Sequence, residues 1–185
     1  HSYLAHMIFA ADNRPSIELA AAMGPVWDLV FRSSVGGNTP ASKIAELGKA
    51  GITVELGGNC RTLTDDFHEV AGDLVEGYRN VMRHYGMIEG GASYAAEWRM
   101  GHQKALLAPA SGMWVGSPEI PFESPLPAQT LLGRVYDLYG EVQGEVRAPE
   151  DGVVFGLRSR PAVLEGEWCC FFGIIDEVRN DLLGS

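Results

Sequence analysis

Lysine is scarce in this chain of 185 residues, occurring only as Lys43, Lys49 and Lys104. Arginine brings the basic total to 14, against 24 acidic residues and a net charge of -10. Residues 1–90 carry 7 basic and 11 acidic side chains, and residues 91–185 carry 7 and 13, so neither half is basic. This balance argues against a phosphate-backbone partner, and no nucleic acid is expected. Cysteine is also scarce. Cys60, Cys169 and Cys170 form an odd set without regular spacing, and two of them are adjacent. The pattern predicts reduced thiols and a cytoplasmic setting. No apolar run approaches the ~18 residues of a membrane span, and no basic-then-apolar leader is read, so no membrane partner is expected. What is present is 46% apolar and 21% charged residues, the ordinary mix of a globular chain with one large or two small domains.

The first half alternates strand and helix signals. Tyr3–Ala10 reads as a strand, and Asp12-Asn13-Arg14-Pro15 as the cap of a helix over Pro15–Met23 that ends at Gly24. Val26–Phe31 reads as a strand and Ser33–Asn38 as a Gly/Ser loop. Thr39-Pro40 opens a second helix that stops at Gly51. Ile52–Leu56 is a strand, followed by a turn at Gly57-Gly58-Asn59. A long helix is predicted from Asp65 to Tyr85, stopped by Gly86. Its apolar stripe is Phe67, Val70, Leu74, Tyr78, Val81 and Tyr85. Alternation of this kind implies a mostly parallel sheet covered by helices. Three strands are few for such a sheet, so strands upstream of His1 are expected.

The character changes at Gly90-Gly91, after which short strands with Gly and Pro turns take over. Ala108–Val115 (APASGMWV) is echoed by Ala148–Phe155 (APEDGVVF), an offset of 148 − 108 = 40 residues. Each copy reads as a turn followed by an apolar strand, which suggests quasi-two-fold symmetry. The A-P-x-x-G repeat resembles the halves of biotinyl and lipoyl domains. Such carriers display a modified Lys on the hairpin between their halves. Val115–Arg147 contains no Lys, so a covalent carrier is excluded and the likeness concerns architecture.

The segment Gly51–Gly58 (GITVELGG) sets a carboxylate, Glu55, within a short apolar strand. One reading is a solvated strand-edge Glu paired with Arg61 or Lys43. Three features favour a chemical role. Ile52, Val54 and Leu56 belong in a buried sheet. Glu55 falls near the strand's carboxyl end, where open α/β sheets place their sites. Gly57-Gly58 then lets backbone approach a ligand. A carboxylate so placed serves as a general base once its pKa is tuned.

GITVELGG, Arg61, the long helix ending in Arg83-His84-Tyr85-Gly86, and the strands LLAPASGMWV and VRAPEDGVVF together resemble the succinylglutamate desuccinylase/aspartoacylase family. The likeness covers nearly the whole chain and implies a zinc-carboxypeptidase-like amidohydrolase. In that family the Glu of V-E-x-G-G is the catalytic acid/base, here Glu55. The family binds one zinc through an H-x-x-E pair and a later His, often in D-L-H-[ST], leaving a position open for water. The metal polarises the amide carbonyl, and the Glu moves the water's proton to the leaving amine. None of His1, His6, His68, His84 and His102 begins an H-x-x-E. His1-Ser2 is either the tail of a D-L-H-S segment, making His1 a zinc ligand, or a leftover tag. His6 is the fallback ligand or a core residue. One His cannot hold zinc tightly, so Zn2+ is expected once per complete site and not in this chain alone. The chain is expected to be the C-terminal part of a larger enzyme, or a truncated one.

Arg32, after the second strand, and Arg61, after Glu55, are candidate clamps for a substrate carboxylate. Arg32 is otherwise a surface residue, and Arg61 otherwise a partner of Asp65. Relatives commonly place an Arg in the helix before the catalytic strand. Here SKIAELGKA has Lys43 and Lys49 instead, which leaves the acidic substrate of relatives uncertain. His68-Glu69 point about 100° apart on a helix and read as a solvated face. Tyr136 and Tyr139 read as β-domain packing, and Cys60 lacks a base spaced to activate it.

The expected fold is therefore α/β. Residues 1–90 form the C-terminal part of a mostly parallel zinc-carboxypeptidase-like sheet with helices, and residues 91–185 a small β-rich, barrel-sandwich-like domain. The expected function is a zinc-dependent deacylase acting on a small-molecule N-acyl amino acid or similar amide, with homo-oligomerisation open. The alternative is a non-catalytic binding or oligomerisation module.

Overall fold

The computed structural model describes residues 2–32, 39–58, 64–120 and 122–183. The first part of the chain runs β1 (Ser2–Ala10), α1 (Arg14–Ala22), β2 (Leu29–Arg32), α2 (Pro40–Glu46), β3 (Ile52–Gly58), α3 (Thr64–His84) and β4 (Trp98–Leu107). Then come β5 (Gly112–Gly116), β6 (Pro125–Leu126), β7 (Leu131–Tyr136), β8 (Val142–Arg147), β9 (Gly152–Arg158), β10 (Ala162–Val163) and β11 (Trp168–Arg179). Two compact units result. An α/β unit holds His6–Gly57, Arg61–His102 and Asp176–Ser185, and a β unit holds His1–Ala5, Gly58–Cys60 and Gln103–Ile175. The division expected at residues 90 and 91 thus falls later, because β4 continues the α/β unit's sheet as far as His102. Among the described residues, no helix is long and apolar enough to cross a membrane.

In the α/β unit the strands lie in the order β3-β1-β2-β4. β1 runs parallel to β2, pairing Met7 with Leu29 and Phe9 with Phe31, and β2 runs parallel to β4. One sheet face carries Ile8, Ala10, Val30 and Met100, which pack with Ala20, Ala21 and Met23 of the α1 region. Ile52, Val54 and Leu56 of β3 and Leu74 and Val81 of α3 join this core. β2 begins at Leu29, three residues later than the apolar run suggests. Asp28 holds Arg99 through a forked pair of 3.0 and 3.1 Å, and its carbonyl accepts the Arg99 N–H. This clasp fixes β4 beside β2 at the strand's start.

Two buried polar side chains set the helices against the sheet. The Ser16 hydroxyl accepts the Gly51 N–H at 3.0 Å, tying α1 to the first residue before β3. Asn13 caps α1 by accepting the Ser16 N–H and reaches the Ala45 and Lys49 carbonyls beyond. Asn80 of α3 is 2% exposed. It donates to the Ala22 and Ser93 carbonyls at 2.9 and 2.6 Å and accepts the Ser93 N–H at 2.9 Å. α2 ends at Glu46 instead of Gly51, because Gly48 adopts φ +70° and turns the chain there. The α3 stripe is also displaced from the expected one. Its buried line runs through Gly77 and Asn80, while Phe67, Tyr78 and Tyr85 are exposed.

The β unit contains a four-stranded sheet in the order β10-β5-β7-β8 and strands ordered β11-β9-β6, with the start of β1 antiparallel to β9. Trp114, Leu132, Val135, Val146, Val154 and Phe172 fill its core. The sequence echo is a structural one. A Cβ on Gly112 would lie 2.3 Å from the Tyr136 carbonyl oxygen, and one on Gly152 would lie 2.4 Å from that of Gly173. Both repeats therefore need glycine at the same point. The turns match as well. The Gly166 N–H donates to Ala108 and the Ala108 N–H to Glu167, while the Gln129 N–H donates to Ala148 and the Ala148 N–H to Thr130. Ser111 accepts the Glu165 N–H, and Asp151 accepts the Ala128 N–H. Gly166 sits at φ +82°, but its counterpart Gln129 holds φ +66°.

These arrangements predict two stability effects. Asn80→Ala leaves two carbonyls and one N–H without their partner and is expected to cost about 2–4 kcal/mol. Asn80→Asp should cost at least as much, since a carboxylate cannot donate. Urea denaturation measures both. At the paired turns the signs oppose. Gly166→Ala should cost roughly 1 kcal/mol by backbone strain alone, since no atom lies within 4 Å of the added Cβ. Gln129→Gly should be neutral or gain up to ~1 kcal/mol, read as opposite shifts in Tm.

Candidate active site

Glu55 is the fourth residue of β3 and is half-buried. The strand extends two residues past Leu56, so Glu55 lies mid-strand and not at its end. Alternation along the strand explains its placement. Ile52, Val54 and Leu56 point into the α/β core, and Glu55 points to the other face. Ser16 fixes where β3 begins and therefore which face each residue takes. Burial raises the Glu55 carboxyl above its ordinary pKa, because the charged form loses hydration. Two residues on, Gly57 has φ +71°, a conformation that favours glycine, and the strand ends at Gly58. Gly57 and Gly58, expected in a turn, thus belong to the strand, and Asn59 lies outside the described residues.

Arg32 ends β2 and is exposed, as a clamp or a surface residue would be. Its guanidinium donates to Glu177 at 2.6 Å. β1 separates β2 from β3, so Arg32 and Glu55 belong to strands about 10 Å apart across the sheet. Arg61, His1 and Cys60 lie outside the described residues. His6, the fallback ligand, has its Nε2 3.0 Å from Asp73 and its ring edge-on to Trp27 at 5.2 Å. His68 and Glu69 are both exposed on α3. Lys43 pairs with Glu46 on its own helix and not with Glu55.

Zinc is the metal the family likeness implies. Among the described residues, no group of three or more His, Cys, Asp or Glu side chains converges to hold a metal ion. The described residues therefore do not fit a zinc site. Cys169 and Cys170 are free and buried. Desolvation pushes the Cys169 thiol up to about 11 and the Cys170 thiol higher still, so neither offers a thiolate at neutral pH.

Sequence reading missed a cluster at the C-terminal end of α3. His84 Nε2 lies 3.2 Å from Glu18 of α1, and His84 Nδ1 lies 2.9 Å from the Tyr94 hydroxyl. His84 is the last residue of α3, one short of the predicted end at Tyr85, and nothing local connects it with Glu18 or Tyr94.

No protein-family model matches the chain, and no curated protein does. Solved structures do match. A succinylglutamate desuccinylase from a Silicibacter species is 19% identical with a TM-score of 0.76, covering 95% of this chain and 55% of its own. A succinylglutamate desuccinylase/aspartoacylase from Rhodobacter sphaeroides is 20% identical with a TM-score of 0.72, covering 95% and 55%. The ectoine utilization protein EutE from Ruegeria pomeroyi is 20% identical with a TM-score of 0.71, covering 92% and 56%. The chain has the fold of these proteins and spans about half their length. Many of the structures that share this fold are succinylglutamate desuccinylase/aspartoacylase family proteins.

The raised Glu55 carboxyl has a consequence for stability. The native chain holds this proton to higher pH than the unfolded chain does. Its contribution is therefore most favourable below the ordinary pKa and declines as pH rises through the raised one. Glu55→Gln cannot ionise. The variant should gain stability relative to wild type between about pH 4 and about pH 7. Urea midpoints at the two values test this, and an equal difference at both would contradict it.

Proposed function

We propose that the chain belongs to an enzyme hydrolysing a linear amide in an N-acyl amino acid or similar small molecule, with Glu55 as general acid/base. The observation that carries this reading is Glu55 itself. It is a half-buried carboxyl, raised by desolvation, on the face of β3 away from the α/β core and two residues before a left-handed glycine. The shared fold with proteins named as desuccinylases and aspartoacylases supports the class of reaction. In such a hydrolysis water adds to the amide carbon and the C–N bond breaks. Glu55 takes a proton from the attacking water and delivers it to the departing nitrogen. A carboxyl raised toward neutrality is suited to both halves of that transfer. Arg32 is the candidate clamp for a substrate carboxylate. Its pair with Glu177 is exposed, a type of contact worth little, so a substrate anion can displace it. Zinc, implied by the family likeness, enters no step here, since the described residues supply no ligand set for it.

A second reading, a binding or assembly module, draws on a different observation. The β7–β8 hairpin presents Leu138 and Tyr139 at 101% and 92% exposure. Asp137 fixes that turn by accepting the Tyr139 and Glu141 N–H groups.

Turnover decides between them. With a panel of N-acetyl and N-succinyl amino acids, Glu55→Gln in the full protein should lower kcat by roughly 10²–10⁴-fold. Undiminished turnover in the variant would remove Glu55 from the chemistry. Absence of turnover in the wild-type protein would favour the module.

A further inference from the structure

Glu18, His84 and Tyr94 come from three separate segments, α1, the last residue of α3 and the loop before β4, and they meet with His84 in the middle. With the imidazole neutral, the proton positions follow from chemistry. An ionised carboxylate only accepts hydrogen bonds, so Glu18 requires the proton on His84 Nε2, 3.2 Å away. A neutral imidazole then has only an acceptor at Nδ1. The Tyr94 hydroxyl, 2.9 Å from Nδ1, must donate to it. Carboxylate, imidazole and hydroxyl therefore stand in the order that activates an oxygen nucleophile, with the base oriented by a third group. The ring positions are fixed by packing. The His84 ring lies edge-on to Tyr85 at 4.6 Å and to Tyr94 at 6.0 Å. The backbone of the Tyr94 segment is held next door by the Asn80–Ser93 bonds. The imidazole is largely buried while Tyr94 is 37% exposed, so the base is shielded and the phenol is reachable.

We propose that Tyr94 is an activated phenol and an acyl-accepting modification site for small activated acyl donors, with His84 as its base and Glu18 as a positioning residue. In the reaction the Tyr94 oxygen attacks the donor's carbonyl carbon, and the phenolic proton passes to His84 Nδ1. The bond to the leaving group breaks, and that group departs with the proton from His84. The product is an O-acyl tyrosine and the protonated leaving group, with no change of oxidation state.

The other tyrosines provide internal references. Tyr139 and Tyr78 are more exposed, at 92% and 52%. If exposure alone governed reactivity, Tyr139 would react first. Tyr85 touches the same imidazole by its ring, and its phenol is raised by burial and by Glu18, which disfavours its phenolate.

The probe is N-acetylimidazole at substoichiometric dose, with sites and rates read by peptide mass spectrometry. Tyr94 is expected to acetylate roughly tenfold or more faster than Tyr139. His84→Gln should bring Tyr94 down to or below the Tyr139 rate, while Tyr78 and Tyr139 are unchanged. Glu18→Gln, at a half-exposed position that leaves the core intact, should slow Tyr94 selectively and covers the case in which the His84 variant does not fold. Labelling that follows exposure in the wild type, or a Tyr94 rate indifferent to both substitutions, would overturn the proposal.

Discussion

The α/β unit turns on one buried carboxamide, that of Asn80, which is 2% exposed. Its carboxamide spends both donors and its acceptor on backbone, joining the end of α1, the body of α3 and the segment leading to β4. An apolar residue there fills space but leaves three backbone groups dry and unpaired, a cost that burial does not repay. Ser16 performs the companion task at the other end of α1, where its hydroxyl satisfies Gly51. Between them these side chains set the height of the helices over the sheet and the phase of β3. The orientation of Glu55 follows from that phase, since a one-residue slip turns it into the core.

The β unit reaches order by a different route. Two half-repeats use the same glycine, the same pair of crossed turn bonds and a side-chain acceptor, Ser111 or Asp151, three residues after the alanine. Identity of sequence is not required at every point. Gln129 adopts the left-handed backbone that Gly166 occupies at no steric cost, held there by the hydrogen bonds of the turn. The departure from symmetry is confined to that one turn residue, and the β7–β8 pairing that follows shifts register between Leu131 and Gly133.

Local chemistry was the legible part of the sequence. Asn13 and Thr39 as caps, the strand at Ile52–Leu56 and the A-P-x-x-G echo each depend on residues close together in the chain, and each is found in place. Tertiary choice was not legible. Periodicity put Phe67, Tyr78 and Tyr85 on the buried stripe of α3, since spacing cannot say which edge of a broad apolar arc meets the core. The helix turns instead toward Gly77 and Asn80, where close approach and hydrogen bonding outweigh aromatic area. Glu55 was visible as a carboxylate in an apolar run, and its desolvation follows from the sheet. Arg32's partner Glu177 lies 145 residues away, beyond any local signal. The same holds for the bonds among Glu18, His84 and Tyr94.

Cys169 and Cys170 stand side by side on β11, on opposite faces as strand alternation demands, yet both are wholly buried. β11 is therefore enclosed from two directions at once. A water-soluble thiol reagent meets neither sulfur until that strand leaves its neighbours. Reaction of the adjacent pair with such a reagent would therefore time the opening of this strand and not report the average shape of the β unit.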